Sequence, residues 1–337
     1  MNAAGFRRLA VATWVATFVL IVLGGIVRVS GSGLGCGPEG SGFHGWPFCN
    51  GDLVPGLDLN AVIEYAHRVA AGLVGLMILS LFLLAQSRRV EARGLRPLTA
   101  GLLVLVVAQA GLGGLTVEEG LDERLVAAHL GLAMLLLGGL LLLVRMSASA
   151  RSTSADHRRS SKGVRWLAWA TAVIVLATIV AGGYMAGTQN YGRPDYRLGD
   201  GAHHACGKEF PTCNGDFMPF GQSRLVDIHL THRAFMYLAV LLTIALVVAA
   251  QRRRATAPLV ARRARILGLL VVLQVLLGAL NVWLDEYELL IVAHLALGTL
   301  VWAAALDTAL ASSLVRATVA EPTAAQPAVR PAAARAS

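Results

Sequence analysis

The chain has 337 residues, of which 56% are hydrophobic and 15% charged, with a mean hydropathy of +0.63. That is the composition of a polytopic membrane protein and excludes an ordinary soluble enzyme. The net charge of +9 invites a nucleic-acid reading, but Lys and Arg cluster on alternate connections between apolar runs, so the excess reports topology and calls for no nucleic-acid partner.

Eight apolar runs are long enough to cross the membrane: Leu9 to Val29, Asn60 to Gln86, Pro97 to Val117, Glu123 to Val144, Val164 to Gly187, Val226 to Ala250, Ala264 to Leu284 and Glu288 to Leu310. Each approaches the roughly 20 residues needed to span about 30 Å of hydrocarbon. The first run is too long for a signal-peptide core and lacks a clear small-residue cleavage site, so it reads as a retained helix. Arg7 and Arg8, Arg88, Arg89, Arg93 and Arg96, the stretch Arg145 to Arg165, the stretch Arg252 to Arg265 and the tail arginines fall on one side. The opposite loops carry Glu118, Glu119, Asp122 and Glu123, then Asp285, Glu286 and Glu288. By the positive-inside rule both termini are expected in the cytoplasm and the acidic loops outside.

The chain repeats itself. His67 and His129 are 62 residues apart (129 − 67), and so are His232 and His294 (294 − 232). Phe48-Cys49-Asn50-Gly51-Asp52 is echoed by Thr212-Cys213-Asn214-Gly215-Asp216, and Ala128-His129-Leu130 by Ala293-His294-Leu295. Gln109 lies 20 residues before His129 (129 − 109), as Gln274 does before His294 (294 − 274). The expected fold is therefore all-α, with eight transmembrane helices forming two pseudo-symmetric four-helix bundles in a tandem parallel repeat, since an even number of crossings gives both halves one orientation. The N-terminal bundle would occupy residues 1–146 and the C-terminal bundle 163–312. The Ser-, Ala- and Arg-rich segment 147–162 reads as a cytoplasmic linker, and 313–337, rich in Ala, Pro and Arg, as a disordered tail.

Histidines at membrane depth are costly and usually functional. His67 and His129 lie at similar depth near one face, as do His232 and His294, and two neutral imidazoles facing each other across a four-helix bundle are what six-coordinate heme iron requires. Glycines such as Gly24-Gly25 and Gly111-Leu112-Gly113-Gly114 would make room for a macrocycle or let backbones approach. Plain inter-helix hydrogen bonding is the bland alternative, and a metal-ion or proton pathway another. Arg68 and Arg233 each follow a histidine and suit a heme propionate, an inter-helix ion pair, or snorkelling to the surface. Arg28 is a further propionate candidate or an interfacial arginine. Asp307, far from His294 toward the cytoplasm, reads as structurally paired.

One position breaks the repeat: Glu64 stands three residues before His67, and His229 three before His232. All four cysteines fall in the long outward loops, Cys36 and Cys49 in one and Cys206 and Cys213 in the other. An even count on the oxidising side favours disulfides. Zinc ligation with His44, His203 or His204 is the alternative, although the short C-x2-C spacing of zinc sites is absent.

These residues resemble the heme A synthase family of bacterial type. The resemblance runs from the first helix to the eighth, through Glu64-Tyr65-Ala66-His67-Arg68, the Ala-His-Leu motif at His129, His229-Leu230-Thr231-His232-Arg233, His294, and the loop Trp46-Pro47-Phe48-Cys49-Asn50-Gly51. It implies an eight-helix plasma-membrane enzyme of cytochrome oxidase assembly that oxidises a ring methyl of heme O, on ring D, to the formyl group of heme A. It implies substrate heme between His67 and His129, a permanent heme b between His232 and His294, a catalytic Glu64 with His229 as its second-site counterpart, and a Cys36–Cys49 pair. Its partners would be heme O, the heme O synthase that makes it, and an electron acceptor such as quinone. The first loop departs from the family pattern by extra residues within Gly37 to Gly45, and a second cysteine pair occurs in only some members, so the cysteines read as either redox-active or structural.

Glu64 precedes His67 by about one turn and so projects on the same face, where a carboxylate could accept a proton or orient water. Its structural alternative is a bond to Arg68 or to a loop amide. At the level of the whole protein, two rival functions compete with the synthase: a bis-histidine b-type cytochrome relaying electrons to or from quinone, and a heme carrier or exporter.

Overall fold

The structure, a computed structural model, describes residues 3–87, 94–148, 160–189, 201–284 and 287–313. Arg88, Arg89, Arg93, Asp285, Glu286, most of the expected linker and the tail from 314 lie outside them. Among the described residues there are eight long helices: α1 (Ala3–Val29), α2 (Leu59–Gln86), α3 (Leu95–Glu118), α4 (Glu123–Ala148), α5 (Lys162–Gly187), α6 (Arg224–Gln251), α7 (Pro258–Trp283) and α8 (Glu288–Ser313). All eight are long and apolar enough to cross a membrane, and the protein is a multi-pass membrane protein.

Local chemistry sets the boundaries. Asp58 caps α2 by accepting from the Ala61 amide, and Ser223 caps α6 by accepting from Val226; each supplies an acceptor for an amide that has no carbonyl partner in the first turn. Pro258 opens α7, where its missing N–H costs nothing and its fixed φ suits the helix. That helix begins six residues ahead of the apolar run expected from Ala264, because Arg262 and Arg263 lower the hydropathy of its first turns without opposing the backbone bonds.

Each helix packs on its neighbours in sequence. α1 also packs on α4 and α5 on α8, so that helices α1–α4 and α5–α8 each close a ring, and the rings meet along α1, α4, α5 and α8. These four central helices are the more buried ones, while α2, α3, α6 and α7 expose residues such as Leu73, Leu76, Leu241 and Leu269. Large buried side chains fill the halves of the bundles nearest the chain termini, where Phe6, Ile78, Leu81, Leu102, Leu137, Leu140, Leu143, Leu246 and Leu267 pack. The histidines stand at the opposite ends, where glycines replace large residues on the neighbouring helices.

The two cysteine loops share their geometry. Cys36–Cys49 and Cys206–Cys213 are disulfides, which leaves no thiolate for zinc; His44 packs instead against Gly51. Asn50-Gly51 and Asn214-Gly215 have positive φ at both residues, and paired bonds close Cys49 onto Asp52 and Cys213 onto Asp216. Asn-Gly is the dipeptide that tolerates this doubly left-handed turn. Pro47 and Pro211, each two residues before a cysteine, both follow cis peptide bonds.

Candidate heme-binding site

His67 on α2 lies roughly 12 Å below the helix start at Leu59, and His129 on α4 roughly 9 Å below Glu123, at 1.5 Å rise per residue. His232 on α6 and His294 on α8 stand at the same distances from the starts of their helices, Arg224 and Glu288. Each ring is seated on a glycine of the preceding helix. A Cβ built on Gly24 would stand 3.1 Å from His67 Cε1, and one on Gly113 3.0 Å from His129 Cε1. The second half repeats this, with 3.0 Å from Gly182 to His232 and 2.9 Å from Gly278 to His294. Any side chain there would push the imidazole. Gln109 and Gln274 brace the same region, each donating from Nε2 to the carbonyl of His129 or His294 at 3.0 Å.

Glu64 is 3% exposed and both its oxygens are engaged. Oε1 accepts from Arg68 Nη2, and Oε2 accepts from the Cys36 amide at 2.9 Å. Arg68 also donates from Nη1 to the carbonyls of Gly45 at 2.7 Å and Phe48 at 2.8 Å. Glu64 and Arg68 together therefore grip the first cystine loop. His229 occupies the corresponding position and donates from Nδ1 to the Ala202 carbonyl at 2.8 Å. Arg233 holds the second loop through the Thr212 carbonyl at 2.8 Å and the Glu209 carbonyl at 2.7 Å, and stacks over Phe210.

Arg28, the third arginine singled out in the sequence, donates to the carbonyls of Ala186, Gly187 and Gln189. Ala186 and Gly187 end α5 and Gln189 follows just beyond it, a helix C-terminus where a cation is favoured, so the contact ties one half to the other. Glu123 on α4 adds a second tie by accepting from Arg224 of α6. At the far end of the bundles Asp307 accepts from Arg145 of α4 and pairs with Arg263 of α7 at 3.0 Å, which supplies the partners the sequence left unnamed.

A profile described as cytochrome oxidase assembly protein matches residues 56–306. The chain belongs to the cytochrome oxidase assembly protein family. It is 28% identical over 225 residues to the heme A synthase of Alkalihalophilus pseudofirmus, covering 66% of this chain and 69% of that protein. It is 28% identical over 247 residues to the heme A synthase of Symbiobacterium thermophilum, covering 71% and 74% respectively. With the heme A synthase of Bacillus licheniformis the identity is 31% over 152 residues, 45% of this chain and 48% of that one.

The histidines of this assembly protein fit heme. Inter-helix hydrogen bonding, their bland alternative, requires ring nitrogens engaged by protein groups, yet Nδ1 of His67, His129 and His294 is buried with no partner among the described residues. His232 alone has one: its Nδ1 donates to the Thr178 carbonyl at 2.9 Å, which puts the proton on Nδ1 and leaves the Nε2 lone pair for a metal. Among the described residues no group of three or more His, Cys, Asp or Glu is placed to hold a metal ion; were heme bound, His67 with His129 and His232 with His294 would be the residues to hold it.

Sequence reasoning missed two features of this assembly protein. The glycine seat under His67, His129, His232 and His294 was visible only in part, as Gly24-Gly25 and Gly113; repeat register adds Gly278, 165 residues beyond Gly113 (278 − 113). His203, considered only as a zinc donor, sits in a short 3-10 turn (Ala202–Cys206) near His229, His232, His204 and His294. Burial, with these neighbours, holds its imidazole well below the usual histidine range.

Proposed function

We propose that this protein is a heme A synthase, oxidising the ring-D methyl of heme O to a formyl group. The observation that carries the reading is the double set of glycine-seated histidine pairs with an ionisable residue changed between them, Glu64 in one bundle and His229 in the other. His67 and His129 would hold the substrate in a bundle spanning 1–146, and His232 and His294 a resident heme b in a bundle spanning 163–312, the two related by a pseudo-two-fold axis along the membrane normal. Residues 147–162 would link them and 313–337 form a tail. The resident group supplies one-electron redox chemistry, suited to a methyl-to-aldehyde conversion that removes four electrons.

The chain's own residues do the positioning. Glycine seats fix the imidazoles, Gln109 and Gln274 hold the helix turns that carry two of them, and Thr178 sets the tautomer of His232. Glu64 is oriented by Arg68 and the Cys36 amide; by releasing one of these bonds it can take a proton from the methyl being oxidised or direct water to that carbon. Arg68 and Arg233 are engaged by loop carbonyls, so they act on the site by holding its covering loops, and a propionate would have to compete for them. The cystines support the same loops.

The distribution of Arg7, Arg8, Arg96, Arg145, Arg165 and Arg252 to Arg254 against Glu118, Glu119, Asp122 and Glu123 supports cytoplasmic termini and outward cystine loops, and the bacterial relatives support a bacterial plasma membrane. Heme O synthase as supplier and a quinone as electron acceptor complete the reading. The test is expression in cells that make heme O, followed by chromatography and mass analysis of extracted heme. Formyl or hydroxymethyl heme is the expected product. Heme B alone with reversible redox spectra would favour the electron relay, and heme lost on washing the carrier.

A further inference from the structure

The glycine doublets Gly24-Gly25 on α1 and Gly182-Gly183 on α5 each face two ways. Gly24 seats His67 of its own half, while a Cβ on Gly25 would stand 2.5 Å from Leu295 Cδ2 on α8 of the other half. Leu295 directly follows His294. The second doublet does the same: Gly182 seats His232, and a Cβ on Gly183 would stand 2.9 Å from Leu130 Cδ2 on α4, directly after His129. Two short bridges therefore join the histidine pairs, one running His67, Gly24, Gly25, Leu295, His294 and the other His232, Gly182, Gly183, Leu130, His129.

Packing alone would be satisfied by any small residue along the interface. Both contacts nevertheless fall at histidine depth, and both use the leucine adjoining a histidine. A side chain in place of either second glycine would displace a leucine whose neighbour is a ligand candidate. We propose that Gly25 and Gly183 are positioning residues that set the approach of the two histidine sites, so that groups bound in the two bundles form one coupled pair. The inference rests on the two-heme reading above and adds to it a structural reason for the sites to interact.

The experiment uses the full-length protein with both sites loaded with heme. Circular dichroism in the Soret band detects two nearby hemes as a bisignate couplet, while absorption reports bis-histidine ligation independently. The wild type is expected to give the couplet, and Gly25→Leu and Gly183→Leu to lose it with ligation spectra retained. Gly101→Leu, at an exposed glycine of α3 with no neighbouring atom within 4 Å, is expected to keep it. Should the leucine variants not fold, Gly25→Ala alone is expected to diminish the couplet and Gly25→Ala with Leu295→Ala to restore it, since the second change removes the opposing bulk. An unchanged couplet in the glycine variants, an equal loss in Gly101→Leu, or no rescue by Leu295→Ala overturns the coupling role. A wild type that never binds two hemes instead overturns the underlying functional reading.

Discussion

The Cys36 amide donates to Glu64 Oε2 at 2.9 Å, joining a disulfide loop to the position at which the repeated histidine motifs exchange a carboxylate for an imidazole. Because Arg68 bonds both Glu64 and the carbonyls of Gly45 and Phe48, the loop and the carboxylate are positioned together. Replacing both Cys36 and Cys49 by Ser frees a loop whose closure contributes about 3 kcal/mol. The expected outcome is a lower melting temperature and reduced formyl-heme yield, with heme retained at His232 and His294. A variant with unchanged yield would separate the loop from the chemistry.

Glu64→Gln keeps the shape and removes the charge facing Arg68. Formyl-heme production should fall at least about 100-fold, the lower end of general acid–base contributions, while both hemes remain bound by absorption. Normal production with both hemes present would remove Glu64 from the chemistry.

Arg68→Ala strips a donor from Glu64 and from two loop carbonyls at once. Removing one partner of a buried pair costs about 3–5 kcal/mol, and at 14% side-chain exposure the lower end is expected here. Arg68→Lys restores the charge without the forked geometry and should recover only part of the stability. Thermal melts in detergent measure both.

The glycine seats predict which site each substitution empties. Gly113→Ala should lower heme occupancy between His67 and His129, and Gly278→Ala between His232 and His294, because the new methyl meets Cε1 of His129 or His294. Overpacking of about 1–3 kcal/mol weakens binding by about 5- to 150-fold. Gly111→Ala, with no atom within 4 Å, should leave the heme-to-protein ratio unchanged.

Asp307→Ala leaves Arg145 and Arg263 without their shared acceptor. Side-chain exposures of 17%, 20% and 28% for Arg145, Arg263 and Asp307 admit some screening, so a loss of about 1–2 kcal/mol is expected. Heme absorption should persist, since the cluster lies at the opposite end of the bundles from the histidines. Melting curves and spectra on one sample test both halves of that expectation.

Hydropathy located all eight spans because hydrocarbon demands a long apolar helix at each crossing, and the spacing of His67, His129, His232 and His294 identified the ligand candidates because a cofactor gripped between helices imposes a fixed depth. The start of α7 was less legible: an arginine near the membrane boundary lowers hydropathy without ending a helix. The site of Glu64 was legible as a broken repeat, and Arg68 one turn on and a loop amide were legible as its two possible partners; that it takes both at once, and that the amide is that of Cys36, was not, since a loop contact 28 residues away leaves no periodic trace.

The sequence by itself determined the membrane class, the helix count, the repeat and the chemically distinctive positions, all of which follow from composition and spacing along one chain. Only the tertiary structure decided that Arg68 and Arg233 hold the cystine loops, that His67, His129, His232 and His294 each rest on a glycine, and that Gly25 meets Leu295 and Gly183 meets Leu130 across the two halves. Those are contacts between distant segments, set by how closely helix surfaces can approach, and a glycine declares its purpose only when the residue occupying its missing side chain is known.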